Sequence, residues 1–176
     1  VGSEMCIRDS RQLEEVTFRR TVIPVQELLD AAGKYFKKSM KNRSERIELE
    51  IEPMEAKVIG DVNQLRFLLE NLIDEALTVR EDGLIRLQAR QDNEYIRFLF
   101  TDTRREKSVE ELNQLFYPNL ARMTSGEKGE LRGTEYLICK QIIRDHDEFA
   151  GRRGCRINAE PAEGGGFTVY FTIPRR

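Results

Sequence analysis

The chain has 176 residues, 39% hydrophobic and 34% charged, which suits one ordinary domain with its own core. Its 29 basic and 31 acidic residues give a net charge of −2, which excludes the basic excess typical of a nucleic-acid-binding surface. No apolar run reaches the roughly 18 residues of a membrane span. Three cysteines and one histidine without metal-ligand spacing exclude a typical zinc site.

The first 23 residues carry little periodicity. Residues 1–10 do not lead into the next segment, and we expect them to be a non-native leader. Residues 11–23 are charged and β-branched, which predicts either a short entry strand or a connector from a missing N-terminal region. We therefore expect the folded domain to cover residues 24–176. The odd cysteine count and the lack of a signal peptide predict a cytoplasmic location.

The next segment predicts a helix followed by two strands. Apolar residues recur at helical spacing from Val25 to Met40, and Pro24 suits the first turn of this helix. The segment 47–52 alternates apolar and acidic residues, which predicts a half-buried strand that Pro53 ends. A second short strand is predicted over residues 56–59.

The longest predicted helix covers residues 61–80. Its leucines form an apolar face, and Asn71, Glu75 and Thr78 share a neighbouring stripe. Because this stripe borders the apolar face, its polar groups would line the edge of a cleft. The alternative is an ordinary polar flank on an amphipathic core helix.

The second half of the chain predicts hairpins and two more helices. The strands are predicted over residues 84–90, 94–102, 155–160 and 167–173, with a glycine turn at 164–166. Ser108 and Glu111 form a capping box that opens one helix, and residues 134–149 form the other. A long polar loop covers residues 119–132. Together these elements predict an α+β fold: a two-layer sandwich with helices on one face of a mixed, mainly antiparallel sheet.

The helix at 61–80, DVNQLRFLLENLIDEALTV, resembles the N box of the histidine-kinase ATPase family, the Bergerat or GHKL fold. The family's order of elements follows: strands, Asp102, a lid-like loop, Gly133, a helix and the terminal strand FTVYFTIP. The resemblance covers roughly residues 16–174 and implies this ATPase fold, with His146 as a structural residue at the end of the last helix.

The resemblance also implies ATP and Mg²⁺ as cofactors and indicates which residues would bind them. Asn71 matches the first asparagine of the N box, and Glu75 stands at the position of its magnesium-binding asparagine. Glu75 is the candidate metal ligand, since a carboxylate can ligate magnesium. Thr78 stands where the family has a basic residue that faces phosphate.

Two further boxes complete the candidate site. The segment RFLFTDTRRE resembles the family's Asp-x-Gly-x-Gly box, in which Asp102 matches the aspartate that reads the adenine amino group. Taken alone, Asp102 could equally be an aspartate that caps a turn at a strand end. In the second glycine box Gly133 matches the first glycine. The candidate cofactor-binding residues are therefore Asn71, Glu75, Asp102 and Gly133, and no catalytic residue is predicted.

Five positions depart from the family pattern in one direction. Each loses a metal ligand type, a cation or a glycine: Glu75, Thr78, Arg104, Glu106 and Glu135. The three glutamates are expected to face one pocket and repel phosphate. We therefore expect a degenerate, pseudokinase-like interaction module with weak or no binding of ATP and Mg²⁺. The alternative is an active ATP-binding catalytic domain that phosphorylates a histidine on a segment absent from this chain.

The resemblance implies a protein partner for either function. That partner would be a dimerisation and phospho-acceptor helical region of the same or another chain. We expect no nucleic acid partner and no membrane contact by this domain. The loop between Pro118 and Gly133 is expected to be mobile until such a partner orders it.

Overall fold

A five-stranded sheet carries the helices on one of its faces. The computed structural model describes residues 18–118 and 134–176. The strands are β1 (Thr21–Pro24), β2 (Ile47–Ile51), β3 (Lys57–Gly60), β4 (Gly83–Asp92), β5 (Tyr95–Asp102), β6 (Ile157–Pro161) and β7 (Phe167–Pro174). The helices are α1 (Val25–Met40), α2 (Val62–Ala76), α3 (Val109–Asn113) and α4 (Glu135–Phe149).

The sheet has the order β2-β4-β5-β7-β6, in which only the β2–β4 pair is parallel. Burial alternates along β4 and β5, so that Ile96, Phe98 and Phe100 of β5 lie inside while the residues between them are partly exposed. Phe98 stacks on Phe171 of β7, with ring centroids 4.8 Å apart. This alternation is that of a sheet with one face covered, which confirms the predicted α+β sandwich.

Helices α2 and α4 lie side by side on the covered face. The thiol of Cys139 on α4 lies 3.6 Å from the carbonyl oxygen of Leu68 on α2, to which it donates. Leu65, Leu68 and Leu69 of α2 are buried, and full burial of each such side chain contributes about 2 kcal/mol. This arrangement agrees with the predicted two-layer sandwich, in which the helices lie on one face of the sheet.

The chain joins the fold earlier than predicted. Residues 21–24 form β1, which pairs antiparallel with β3, and Ile23 is buried in the core. The strand alternative therefore holds for part of the segment 11–23 that we assigned as a connector. Pro24, with φ −62°, is the residue just before α1 and does not lie in its first turn.

Some element ends also differ from the prediction. Helix α2 stops at Ala76, four residues before its predicted end. Strand β4 continues to Asp92, and the hairpin turn consists of Asn93 and Glu94, with Asn93 at φ 54°. Asparagine accepts such a left-handed conformation better than most residues. The capping box of Ser108 and Glu111 is present with both hydrogen bonds at 3.1 Å.

Three predictions fall outside the described residues. These are the leader at 1–10, the lid-like loop at 119–132 and Gly133. Among the helices within the described ranges, none is both long and apolar enough to cross a membrane.

Candidate functional site

Asp102, the last residue of β5, is engaged by the side chain of Arg104. One carboxylate oxygen accepts from the Arg104 main-chain N–H at 3.0 Å and from Nε at 2.9 Å. The other accepts from Nη2, also at 2.9 Å. The two side chains are only 5% and 1% exposed. A forked pair of this kind is among the stronger charge-assisted contacts in proteins.

The same guanidinium binds the chain that leaves α2. Nη2 donates to the carbonyl oxygen of Ala76 at 2.6 Å, and Nη1 donates to those of Val79 at 3.0 Å and Glu81 at 2.9 Å. A guanidinium has five N–H donors, and these three bonds and the two to Asp102 use all of them. A cation at the carbonyl end of a helix is also favoured by the helix dipole. Arg104 therefore ties α2 to β5.

Two glycines leave room for this arrangement. Gly83, at φ 148°, lies against the Arg104 side chain, and a β-carbon there would come within 2.5 Å of Arg104 Cγ. Gly166, at φ 85°, packs directly on the main chain of Asp102 and Thr103, where a β-carbon would overlap their atoms. The Gly166 contact fixes where β5 ends, and Gly83 admits the arginine.

A small cavity lies between the C-terminal half of α2 and strands β5 and β7. Its volume is about 60 Å³, whereas pockets that hold small molecules usually measure roughly 300–1,000 Å³. Leu72, Ala76, Phe100 and Val169 form its apolar walls. The polar and charged side chains of its lining are Glu75, Thr78, Asp102, Arg105 and Lys107.

The structure brings two of the predicted site residues together and not the others. Glu75 and Asp102 line the cavity, and Asn71 does not. Asn71 is buried, and its amide donates to the carbonyl oxygen of Phe67 in its own helix at 2.7 Å. Gly133 lies outside the described residues.

Of the three glutamates expected to face one pocket, only Glu75 is in the described lining of this cavity. Glu75 lines the cavity, but Glu106 lies near the turn glycine Gly165, and Glu135 is absent from the described lining. Two cations that sequence analysis missed, Arg105 and Lys107, line it instead. The basic run TRREK could have indicated cations at this site. Its first arginine, Arg104, points inward to Asp102. The charge around the cavity is therefore mixed.

A metal site is not assembled from the described side chains. Within residues 18–118 and 134–176, no three His, Cys, Asp or Glu side chains form a group that could hold a metal ion. The role of Glu75 as a magnesium ligand stays a prediction. Burial, and next the charge of Glu135, raises the pKa of the Cys139 thiol, which makes it an inert core group.

The opposite end of α2 is held by His146. Its Nε2 accepts from the main-chain N–H of Asp61 at 3.0 Å, and its Nδ1 donates to the carbonyl oxygen of Ile142 at 2.8 Å. Asp61 caps α2 by accepting from Gln64 N–H, and its second oxygen accepts from Arg19 N–H at 2.7 Å. Burial lowers the pKa of His146, so the ring is neutral and structural.

A larger open groove lies elsewhere, between α1 and β2. Its volume is about 740 Å³, and its walls include Asp30, Lys34 and Leu49. None of the predicted site residues lines it among the part of the chain that is described.

The cavity lies in a part of the chain that matches a known protein family. The family described as histidine kinase-, DNA gyrase B- and HSP90-like ATPases matches residues 60–176, more than half of the chain. The chain belongs to this ATPase family. The matched residues include α2, Asp102 and α4, which together frame the cavity of this ATPase-family domain.

Solved histidine kinases share its fold. The mycobacterial sensor histidine kinase MprB is 19% identical with a TM-score of 0.69, over 90% of this chain and 99% of its own. The catalytic domain of histidine kinase ThkA is 22% identical with a TM-score of 0.69, over 89% and 96%. ThkA in complex with the response regulator protein TrrA is 18% identical with a TM-score of 0.66, over 99% and 49%. At these identities the likeness shows the fold alone. No curated protein sequence matches the chain.

Among the described residues of this ATPase-family domain, Asp102 is not offered to an adenine nucleotide in the way that the family resemblance implies. A carboxylate that is to read a base must have an oxygen available to the base. In this chain both oxygens of Asp102 accept from one buried arginine, and the cavity beside them is small.

Proposed function

We propose that this domain is a pseudokinase-like interaction module of a histidine kinase-like signalling protein, with weak or no ATP binding. The observation that carries the proposal is the buried Arg104–Asp102 pair. The side chain that the family resemblance assigns to base recognition serves here to hold α2 on β5. Because Asp102 is engaged in holding the fold together, the domain is better suited to binding a protein partner than to hydrolysing a nucleotide.

The expected affinity for ATP depends on the free energy needed to separate Arg104 from Asp102. Breaking a buried ion pair by separating its partners costs about 3–5 kcal/mol, which is roughly two to four orders of magnitude in affinity. An adenine that bound Asp102 would first have to displace Arg104 from it. Five acceptors would lose their donor in that step.

One observation favours the alternative, an active ATP-dependent catalytic domain. Arg105 and Lys107 line the cavity and could balance polyphosphate charge. Such a domain would phosphorylate a histidine on a segment absent from this chain. The cations do not free Asp102, however, and we therefore favour the interaction module.

The partner we propose is a dimerisation and phospho-acceptor helical region of the same or another chain, in the cytoplasm. The support is the ThkA neighbour, a histidine kinase whose structure was solved with a response regulator protein. Lys140 of α4 lies over the ring of Tyr117 at 4.4 Å and donates to the carbonyl oxygen of Phe116. These contacts fix the point where the chain leaves α3 towards the lid-like segment.

Isothermal titration of the full chain with ATP and Mg²⁺ tests the proposal. We expect no binding at micromolar concentrations of ATP. A submicromolar affinity that is lost in Asp102→Asn would overturn it and establish the active alternative.

A further inference from the structure

We propose that Arg104 is the specificity-determining residue of this site: its guanidinium occupies Asp102 in place of a purine, and its removal alone would admit an adenine nucleotide. This inference rests on the proposed function, since it explains why nucleotide is excluded. Five positions depart from the family pattern, and this inference assigns the exclusion of nucleotide to Arg104 alone and not to all five together.

The acceptor for the base is intact beneath Arg104. Asp102 is held by strand pairing on both sides, opposite Ile85 of β4 and opposite Phe167 of β7. Gly166 packs against its carbonyl oxygen. These contacts are made by the main chain and do not involve the guanidinium. A change of side chain at position 104 should therefore leave the Asp102 main chain where it is, and the main-chain N–H of residue 104 can still donate to one carboxylate oxygen.

The walls for the base are also intact. Leu72, Ala76, Phe100 and Val169 present apolar surface to the cavity next to Asp102. An apolar slot with one polar group at its end is the usual design of a site for a flat heterocycle. What is missing is volume. Arg104 binds the carbonyl oxygens of Ala76 and Val79, two residues of the cavity lining, and so holds this wall in place.

The charges around the cavity do not account for exclusion. Apart from the Arg104–Asp102 pair, the described lining holds one carboxylate, Glu75, and two cations, Arg105 and Lys107. This set is not repulsive to a phosphate chain. Glu106 and Glu135, which replace glycines in the resemblance, lie off the described lining. Within the described residues, the obstacle to a nucleotide therefore lies on the base side, at Asp102.

The arginine is built into the fold. Gly83 has no β-carbon where the stem of Arg104 passes, and every N–H of the guanidinium has an acceptor. A side chain placed in this way competes with any ligand for Asp102 as an intramolecular partner, with an effective concentration set by its attachment to the same loop.

The test compares Arg104→Gly with the wild-type chain by titration with Mg²⁺-ATP. The matched control is Arg105→Gly, which changes the neighbouring residue of the same loop and also removes a cation from the cavity. We expect Arg104→Gly to bind ATP at least 100-fold more tightly than the wild type, and Arg105→Gly to gain nothing. GTP should not show the gain, and Asp102→Asn combined with Arg104→Gly should abolish it.

The outcomes separate the two proposals. If the wild type already binds ATP tightly through Asp102, the proposed function fails. If neither the wild type nor folded Arg104→Gly binds, the proposed function stands and this inference is overturned. Should Arg104→Gly not fold at 25 °C, Arg104→Gln carries the test, because its neutral amide no longer forms the ion pair with Asp102. An ATP-dependent rise in the Tm of a folded variant supports the inference, and no rise in any folded variant overturns it.

Discussion

The two ends of α2 are closed in different ways. At the N-terminal end, Asp61 caps its own helix and donates its N–H to the neutral ring of His146. At the C-terminal end, the carbonyl oxygen of Ala76 accepts from Arg104, a side chain 28 residues further along the chain. The first end has a local cap and a distant histidine ring. The second is held by hydrogen bonds from a distant arginine, which is itself paired with Asp102. The difference shows that this domain keeps the scaffold of its family at one end of α2 and fills the candidate site at the other.

The largest expected effect comes from removing the C-terminal closure. Arg104→Ala leaves the buried Asp102 carboxylate without its cation, which should lower the free energy of unfolding by about 3–5 kcal/mol. Urea denaturation followed by circular dichroism measures this. The control is Arg86→Ala, which removes an exposed pair with Glu50 at 3.8 Å and should cost less than about 1 kcal/mol. Equal, small losses in both variants would show that the Arg104–Asp102 pair does not hold α2.

A smaller effect is expected at the glycine that admits the arginine. Gly83→Ala places a β-carbon against Arg104 Cγ at φ 148°, and we expect a loss of about 1–3 kcal/mol. A double-mutant cycle with Arg104→Ala separates side-chain overlap from backbone strain. If the overlap matters, the two losses are not additive. Strict additivity would mean that Gly83 serves its own backbone only.

The N-terminal closure predicts a pH dependence. Burial lowers the pKa of His146 in the folded state below its ordinary value of 6.5, so the unfolded chain takes up a proton first as the pH falls. Stability from this group is complete above about pH 6.5 and declines below it, by at most ~1.4 kcal/mol per pH unit, until the folded ring titrates too. The carboxylates of Asp61 and Asp145 act against this shift without cancelling it.

His146 is the only histidine of the chain, which makes this prediction simple to check. The His146 ring signals should titrate in NMR below pH 6.5, and unfolding free energies at pH 5.5 and 7.5 should differ. The matched variant His146→Gln should lose that difference. An unchanged pH dependence in His146→Gln would assign the effect to other groups.

The fold could be predicted because its evidence is local. The alternation of Ile47–Ile51 and the leucine stripe of α2 each depend on a few neighbouring residues, and both were confirmed. Asp61 stands directly before an apolar helical run, as a helix cap does. The end of α2 was placed too late, because the residues after Ala76 continue a helical pattern in sequence while Arg104 binds their carbonyls.

The candidate site could be predicted only in part. Asp102 was found from its motif. Arg104 was recognised as an arginine at a glycine position of that motif, but not as the partner of Asp102. Five acceptors from residues 76–102 converge on that guanidinium, and no sequence spacing reports such a convergence. The same limit applies to Arg105 and Lys107, whose position at the cavity depends on how the loop after β5 turns.

Gly83 also constrains the order in which this site could have evolved. With any larger residue at position 83, an incoming arginine at position 104 would have met a β-carbon at its own stem. The arginine is therefore favoured, by about 1–3 kcal/mol, where glycine already stands at position 83. With Arg104 bound to Asp102 and to the end of α2, replacing either residue alone is expected to be destabilising. Among relatives, arginine at this position should be found only together with glycine at the start of β4.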